Sequence, residues 1–207
     1  MLNALARGAV SRVTDPVGRA LLRLGLTPDV VTVIGTVGVV AGSVLLIGAG
    51  HLFWGTIAVT VFVFFDLFDG AMARARGHGT DFGVVLDASC DRIADGALFG
   101  AVAFAAFQHL GSPSIAIAAL ISLTSGQVVS YIKARADSVD LKITGALAER
   151  AERNVLGLFG TGLEGLGVPH ALAGCLWVLA AASVFTVVQR LVQVRRVYQR
   201  REAAQPR

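Results

Sequence analysis

Charge is scarce in this chain of 207 residues: Asp, Glu, Lys and Arg together make up 15% of it. Hydrophobic residues supply 55%, and the mean hydropathy is +0.69. A soluble domain of this size needs more polar surface than that, so the class is excluded. Cysteine is nearly absent. Cys90 and Cys175 are the only two, which excludes a disulfide framework and a thiolate metal site. Histidine is as sparse, and His51, His78, His109 and His170 have no ligand spacing. No segment repeats with a period of about 20–50 residues, so solenoids are excluded. The N-terminal segment lacks a continuous apolar run, because Arg7, Arg12, Arg19 and Arg23 interrupt it. That excludes a cleavable signal peptide.

The scarcity of charge is patterned. Val30–Phe65, Gly96–Ile132 and Asn154–Gln189 hold one charged residue among them, Glu164. Each is nearly twice as long as the roughly 20 residues that one spanning helix needs. Each has a turn signal near its middle: Gly48-Ala-Gly50-His51, Gly111-Ser-Pro113 and Gly165-Leu-Gly167-Val-Pro169. All 18 Lys and Arg fall in residues 7–23, 74–92, 133–153 and 190–207. The pattern predicts three helical hairpins, hence an all-α integral membrane protein with six transmembrane helices. By the positive-inside rule both termini face the cytoplasm. The fifth span, from Asn154, is the shortest and is Gly-rich; it is retained because Arg153 and the basic tail belong on one side. Residues 1–24 predict an amphipathic juxtamembrane helix on the anionic leaflet, broken near Pro16. Residues 25–196 then form the six-helix transmembrane domain, and 197–207 a polar cytoplasmic tail.

Against this apolar background stand four carboxylates. Asp66 and Asp69 are three apart and followed by Gly70; Asp87 and Asp91 are four apart and preceded by Gly83. Each pair shares one helix face. The short Arg74–Phe82 connection makes their helices antiparallel neighbours whose acidic faces can meet. An ionisable side chain in or near lipid is costly, so it points to function. Four hard oxygen ligands suit Mg²⁺ or Mn²⁺. A pair of such ions about 4 Å apart is the clamp used for displacement at phosphorus. Ion pairing with Arg74, Arg76 and Arg92 is the bland alternative, and it does not call for matched spacing with glycines on the same faces. A cation transporter would also place acid in a membrane, but it would not require Gly70, Arg74 and Gly83 at fixed spacing. Asp95 extends the Asp87/Asp91 stripe and reads as a supporting group, a partner of Arg92 or a helix contact.

The pattern D-xx-D-G-xx-A-R-x8-G-xxx-D-xxx-D, from Asp66 to Asp91, resembles the signature of the CDP-alcohol phosphatidyltransferases, with all eight fixed positions present. Leu26-Thr27-Pro28-Asp29-Val30-Val31-Thr32 is similar to that family's N-terminal element. The resemblance implies a six-helix membrane enzyme, often a homodimer, that cleaves a CDP-linked lipid and releases CMP. It implies that Asp66, Asp69, Asp87 and Asp91 bind two metal ions and that Asp91 is also the general base. It assigns Asp29, Thr32, Gly70, Arg74 and Thr80 to the CDP moiety of CDP-diacylglycerol. The setting it implies is a multi-pass protein of a bacterial cell (inner) membrane, its site facing the cytoplasm among membrane lipids. No nucleic-acid partner is expected.

Lys133, Arg153 and Arg190 lie at the depth of the aspartates and predict a site for the phosphate of the acceptor. Lys133 and Arg190 are expected to point into the bundle. The segment Gly145–Asn154 is similar to one carried by family members that use inositol 1-phosphate and make phosphatidylinositol phosphate. Glycerol 3-phosphate, giving phosphatidylglycerophosphate, is the alternative acceptor. Gly38-xxx-Gly42 suits close helix packing within the chain or a dimer face.

Overall fold

The computed structural model describes residues 14–77, 79–143, 145 and 150–204, with the backbone alone at Asp66 and Ala204. His78 and most of the Gly145–Glu149 part of the inositol-phosphate-like segment lie outside the described residues, as do the first 13 residues. Among the described residues every regular element is helical. Helix α1 covers residues 14–23, with Pro16 in its first described turn. Helix α2 is Pro28–Gly42 and continues as a π-turn over Ser43–Ile47. Then follow α3 (Leu52–Val63), α4 (Phe65–Ala75), α5 (Asp81–Gln108), α6 (Pro113–Asp137), α7 (Arg150–Gly165) and α8 (Ala171–Ala204).

Local sequence sets these boundaries. Thr27 caps α2, its hydroxyl accepting from the Val30 N–H, and Pro28 follows at the first helical position. Thr80 caps α5 in the same way, accepting from the Gly83 N–H at 2.9 Å. The predicted hairpin turns fall at Gly50 and Gly167, which have φ of +88° and +82°. A side chain is strained in that region, so glycine closes the helix there. The expected second span is divided: Phe64 separates α3 from α4, and the signature lies on α4. The fifth helix starts at Arg150 rather than Asn154, so Arg150, Glu152 and Arg153 belong to α7.

Among the described residues four helical stretches are long and apolar enough to cross a membrane: Pro28–Ile47, Leu52–Ala75, Pro113–Asp137 and Ala171–Ala203. Helix α5 has 28 residues, but Asp87, Asp91, Arg92 and Asp95 precede its apolar half. Helix α7 has only 16 residues. Large apolar side chains such as Val37, Leu45, Phe104 and Phe185 stand exposed on the outer faces. In water that surface would be a liability; in lipid it is the expected exterior. The chain is therefore an all-helical membrane protein.

The interior is built from small residues that let helix backbones approach. Ala101, Ala105, Ala106, Ala118 and Ala119 are buried around Leu98 and Phe99. Gly38 lies beneath the Phe62 ring, and a Cβ there would fall 2.1 Å from it. Gly42 meets Val59 in the same way. The Gly38-xxx-Gly42 face is thus taken up by α3 of the same chain. Helix α2 packs against α3, α4 and α5, while α8 packs against α6 and α7.

Candidate active site

Helix α2, rather than a direct contact between α4 and α5, links the elements that carry the two acidic pairs. Among the described residues, α4 and α5 make no extended contact, and α2 packs against both. The first turn and a half of α2 is the junction. The Thr32 hydroxyl donates to Asp69 Oδ2, joining α2 to α4. Asp29 approaches α5 at Gly83, where a Cβ would lie 3.3 Å from Asp29 Oδ1. Glycine at position 83 keeps that approach open. Two residues matched to CDP binding thus tie the two halves of the signature to one helix. Asp69 is buried, Asp91 is half-buried and Asp87 is exposed. The site is graded from solvent inward, as a polar substrate entering from water requires.

The carboxylate set fits a hard divalent cation in chemistry: oxygen donors, two per helix, beside small residues. Among the described residues no cluster of three or more metal-ligating side chains forms. Asp66, whose side chain lies outside them, is the fourth member that the signature supplies. Arg74 is exposed and lies 3.6 Å from Asp15 of α1. Gly18 of α1 sits against α4, where a Cβ would be 3.1 Å from that of Ala71. The N-terminal helix is therefore packed onto the helix of the signature.

The largest feature that sequence reasoning missed is the role of Asp95. This carboxylate is 2% exposed, one helical turn deeper than Asp91. Arg153 Nη2 donates to it at 2.7 Å, Arg150 Nε lies 3.4 Å away and Arg92 Nη2 3.6 Å away. Pairing with Arg92 was among its expected roles; gathering three guanidiniums was not. Arg150 Nη1 also lies 2.7 Å from Asp91 Oδ1. Arg153 is 1% exposed and passes α6 at Gly126, where a Cβ would be 2.7 Å from Arg153 Nε. The available signal was Asp95 at i+4 from Asp91 on one face. The matching position of Gly126 on another helix could not be read from spacing.

Arg190 is buried, as expected for a residue pointing into the bundle. Lys133 is not: its side chain is exposed. The inward face at that end of α6 is taken by Ile132 and Ala136, which pack against Val194 and Val197 of α8. An apolar groove of about 670 Å³ runs from Arg150 and Asn154 along α3 and α7 to Phe53 and Leu166.

With this geometry in place, comparison with known proteins is decisive. The family model for CDP-alcohol phosphatidyltransferase matches residues 25–189. The chain belongs to that family. It is therefore a phospholipid-synthesising transferase, and the cation-transporter reading falls. The chain is 48% identical over 196 residues to the phosphatidylinositol phosphate synthase of Mycobacteroides abscessus, covering 94% of this chain and 89% of that one. It is 51% identical over 190 residues to the protein of the same name from Mycobacterium tuberculosis strain H37Rv, covering 90% and 88%. The crystal structure of the Mycobacterium tuberculosis synthase with CDP-DAG bound superposes with a TM-score of 0.84 at 50% identity, covering 88% of this transferase and 94% of that chain. A second structure of that synthase, in complex with manganese and citrate, also gives 0.84 and covers 88% of each chain.

Proposed function

We propose that this transferase moves the phosphatidyl group of CDP-diacylglycerol onto inositol 1-phosphate, giving phosphatidylinositol phosphate and CMP. The observation that carries this reading is an identity of 48–51% over nine tenths of the chain to proteins named for that product. The acceptor hydroxyl attacks the phosphorus that bears the diacylglycerol. A new O–P bond forms, the O–P bond to CMP breaks, and the hydroxyl proton passes to a carboxylate.

In this reading Asp91, the last carboxylate of the signature, takes that proton. Asp66, Asp69, Asp87 and Asp91 would hold two Mg²⁺ or Mn²⁺ ions, whose charge offsets that of the pyrophosphate and of the departing CMP. Thr32 fixes Asp69 through its hydroxyl. Asp29, Thr32, Gly70, Arg74 and Thr80 receive the CDP moiety. Arg153 and Arg190, both buried, and Lys133 at the open edge receive the acceptor phosphate. A dianion there would gain charge-assisted hydrogen bonds of about 1.5–3 kcal/mol each.

The same proposal takes α5 and α7 as the two further spans, making six, with α1 lying at the cytoplasmic surface of a bacterial cell membrane. Residues 25–196 are the catalytic unit, working as a homodimer. The test is an acceptor panel: inositol 1-phosphate, inositol, glycerol 3-phosphate and serine, each with CDP-diacylglycerol and Mg²⁺. CMP release is expected with inositol 1-phosphate above all others. Preference for glycerol 3-phosphate or free inositol would overturn the acceptor assignment.

A further inference from the structure

Arg150 opens α7, and its guanidinium bridges two carboxylates one turn apart on α5. Nη1 lies 2.7 Å from Asp91 Oδ1, and Nε lies 3.4 Å from Asp95 Oδ1. The two holds are unequal in kind. The side chains of Arg150 and Asp91 are 23% and 19% exposed, so solvent and ions reach that contact. Asp95 is 2% exposed and already bound to Arg153 at 2.7 Å, so it is held in place. The Asp91 contact is the exchangeable one and the Asp95 contact the fixed one.

We propose that Arg150 is a built-in counter-cation for Asp91, which a divalent metal ion displaces while Asp95 keeps the released guanidinium tethered beside the site. This rests on the metal-binding reading of Asp91 given above. One carboxylate oxygen cannot serve a guanidinium and a divalent cation at full strength, and the two cations repel each other. Arg92 also lies 3.8 Å from Asp91, but the contact with Arg150 is the closer one, at 2.7 Å. Arg153 meets Asp95 through Nη2. The exchange keeps Asp91 compensated at every stage, which matters for a carboxylate at the edge of lipid. It also keeps a guanidinium beside the place where a phosphorylated acceptor arrives.

The test is calorimetric titration of Mn²⁺ into the purified full-length protein, without substrate. Arg150→Gln is expected to lower the Mn²⁺ Kd about tenfold, because the competing charge is gone. Arg150→Lys keeps the charge and should stay within about threefold of the parent. In an Asp91→Asn background, Arg150→Gln should lose its effect. If Arg150→Gln fails to fold, Arg150→Met keeps the apolar stem and carries the same expectation. Unchanged or weaker Mn²⁺ binding in the folded Gln or Met variant overturns the proposal. A parent protein that binds Mn²⁺ but releases no CMP with inositol 1-phosphate would sink the acceptor reading and leave this exchange standing. A parent that binds no Mn²⁺ sinks the metal reading and the exchange together.

Discussion

At the scale of single residues, the site depends on side chains that hold other side chains. Thr32 donates to Asp69, and a hydrogen bond to a charged group is typically worth about 1.5–3 kcal/mol. Thr32→Val keeps the shape and removes the donor. The metal concentration for half-maximal activity should rise roughly tenfold, with the melting temperature little changed. Asp69→Asn goes further by removing the charge itself, and should give a folded protein without turnover in a CMP-release assay. Arg153 behaves differently because it is buried against Asp95. Breaking a buried pair from one side costs about 3–5 kcal/mol. Arg153→Ala should therefore lower thermal stability as well as raise the acceptor KM, whereas Arg190→Ala should act chiefly on the acceptor KM. A loss of CDP-lipid affinity in Arg190→Ala would move that residue to the donor side.

At the scale of elements, glycines decide how closely helices meet and what passes between them. Gly126 is the passage for Arg153 between α5 and α6. Gly126→Ala places a methyl 2.7 Å from Arg153 Nε, so the guanidinium must leave Asp95. The expected cost is about 1–3 kcal/mol of stability, as for other overpacked sites. The acceptor KM should rise while the CDP-lipid KM stays put, measured by initial rates. On α2, Gly38 receives the Phe62 ring of α3. Gly38→Ala alone should destabilise the hairpin, and Phe62→Leu should relieve much of that loss, so the two changes are non-additive in thermal unfolding. Helix α1 belongs to this scale too. Its contact through Gly18 packs it onto α4, the helix that carries the first half of the signature.

At the scale of the whole molecule, two features carry the argument: an apolar exterior and a polar site at one end. Six crossings require α5 and α7 to span with the four helices whose length and composition already suffice. Single cysteines at Ser112 and Val168 should label from outside the cell, and one at Arg76 from the cytoplasm. Labelling of position 168 from the cytoplasm would remove the last hairpin. Chelation should abolish CMP release reversibly, and Mg²⁺ or Mn²⁺ should restore it, because the carboxylate quartet is useless without its counter-charge.

Much of this was legible along the chain. Charge-free runs, turn glycines and capping threonines are local signals, and the helices follow them because backbone satisfaction in lipid leaves no alternative. The eight-residue signature is equally local, since helical spacing fixes which carboxylates share a face. The interruption at Phe64, the bridging position of α2, the exposure of Lys133 and the three arginines gathered by Asp95 were not legible. Each depends on which helices become neighbours and at what depth. That is set by the summed packing of small residues across the whole bundle. A carboxylate's partner across a helix interface is chosen by proximity in space, and spacing along one helix carries no record of it.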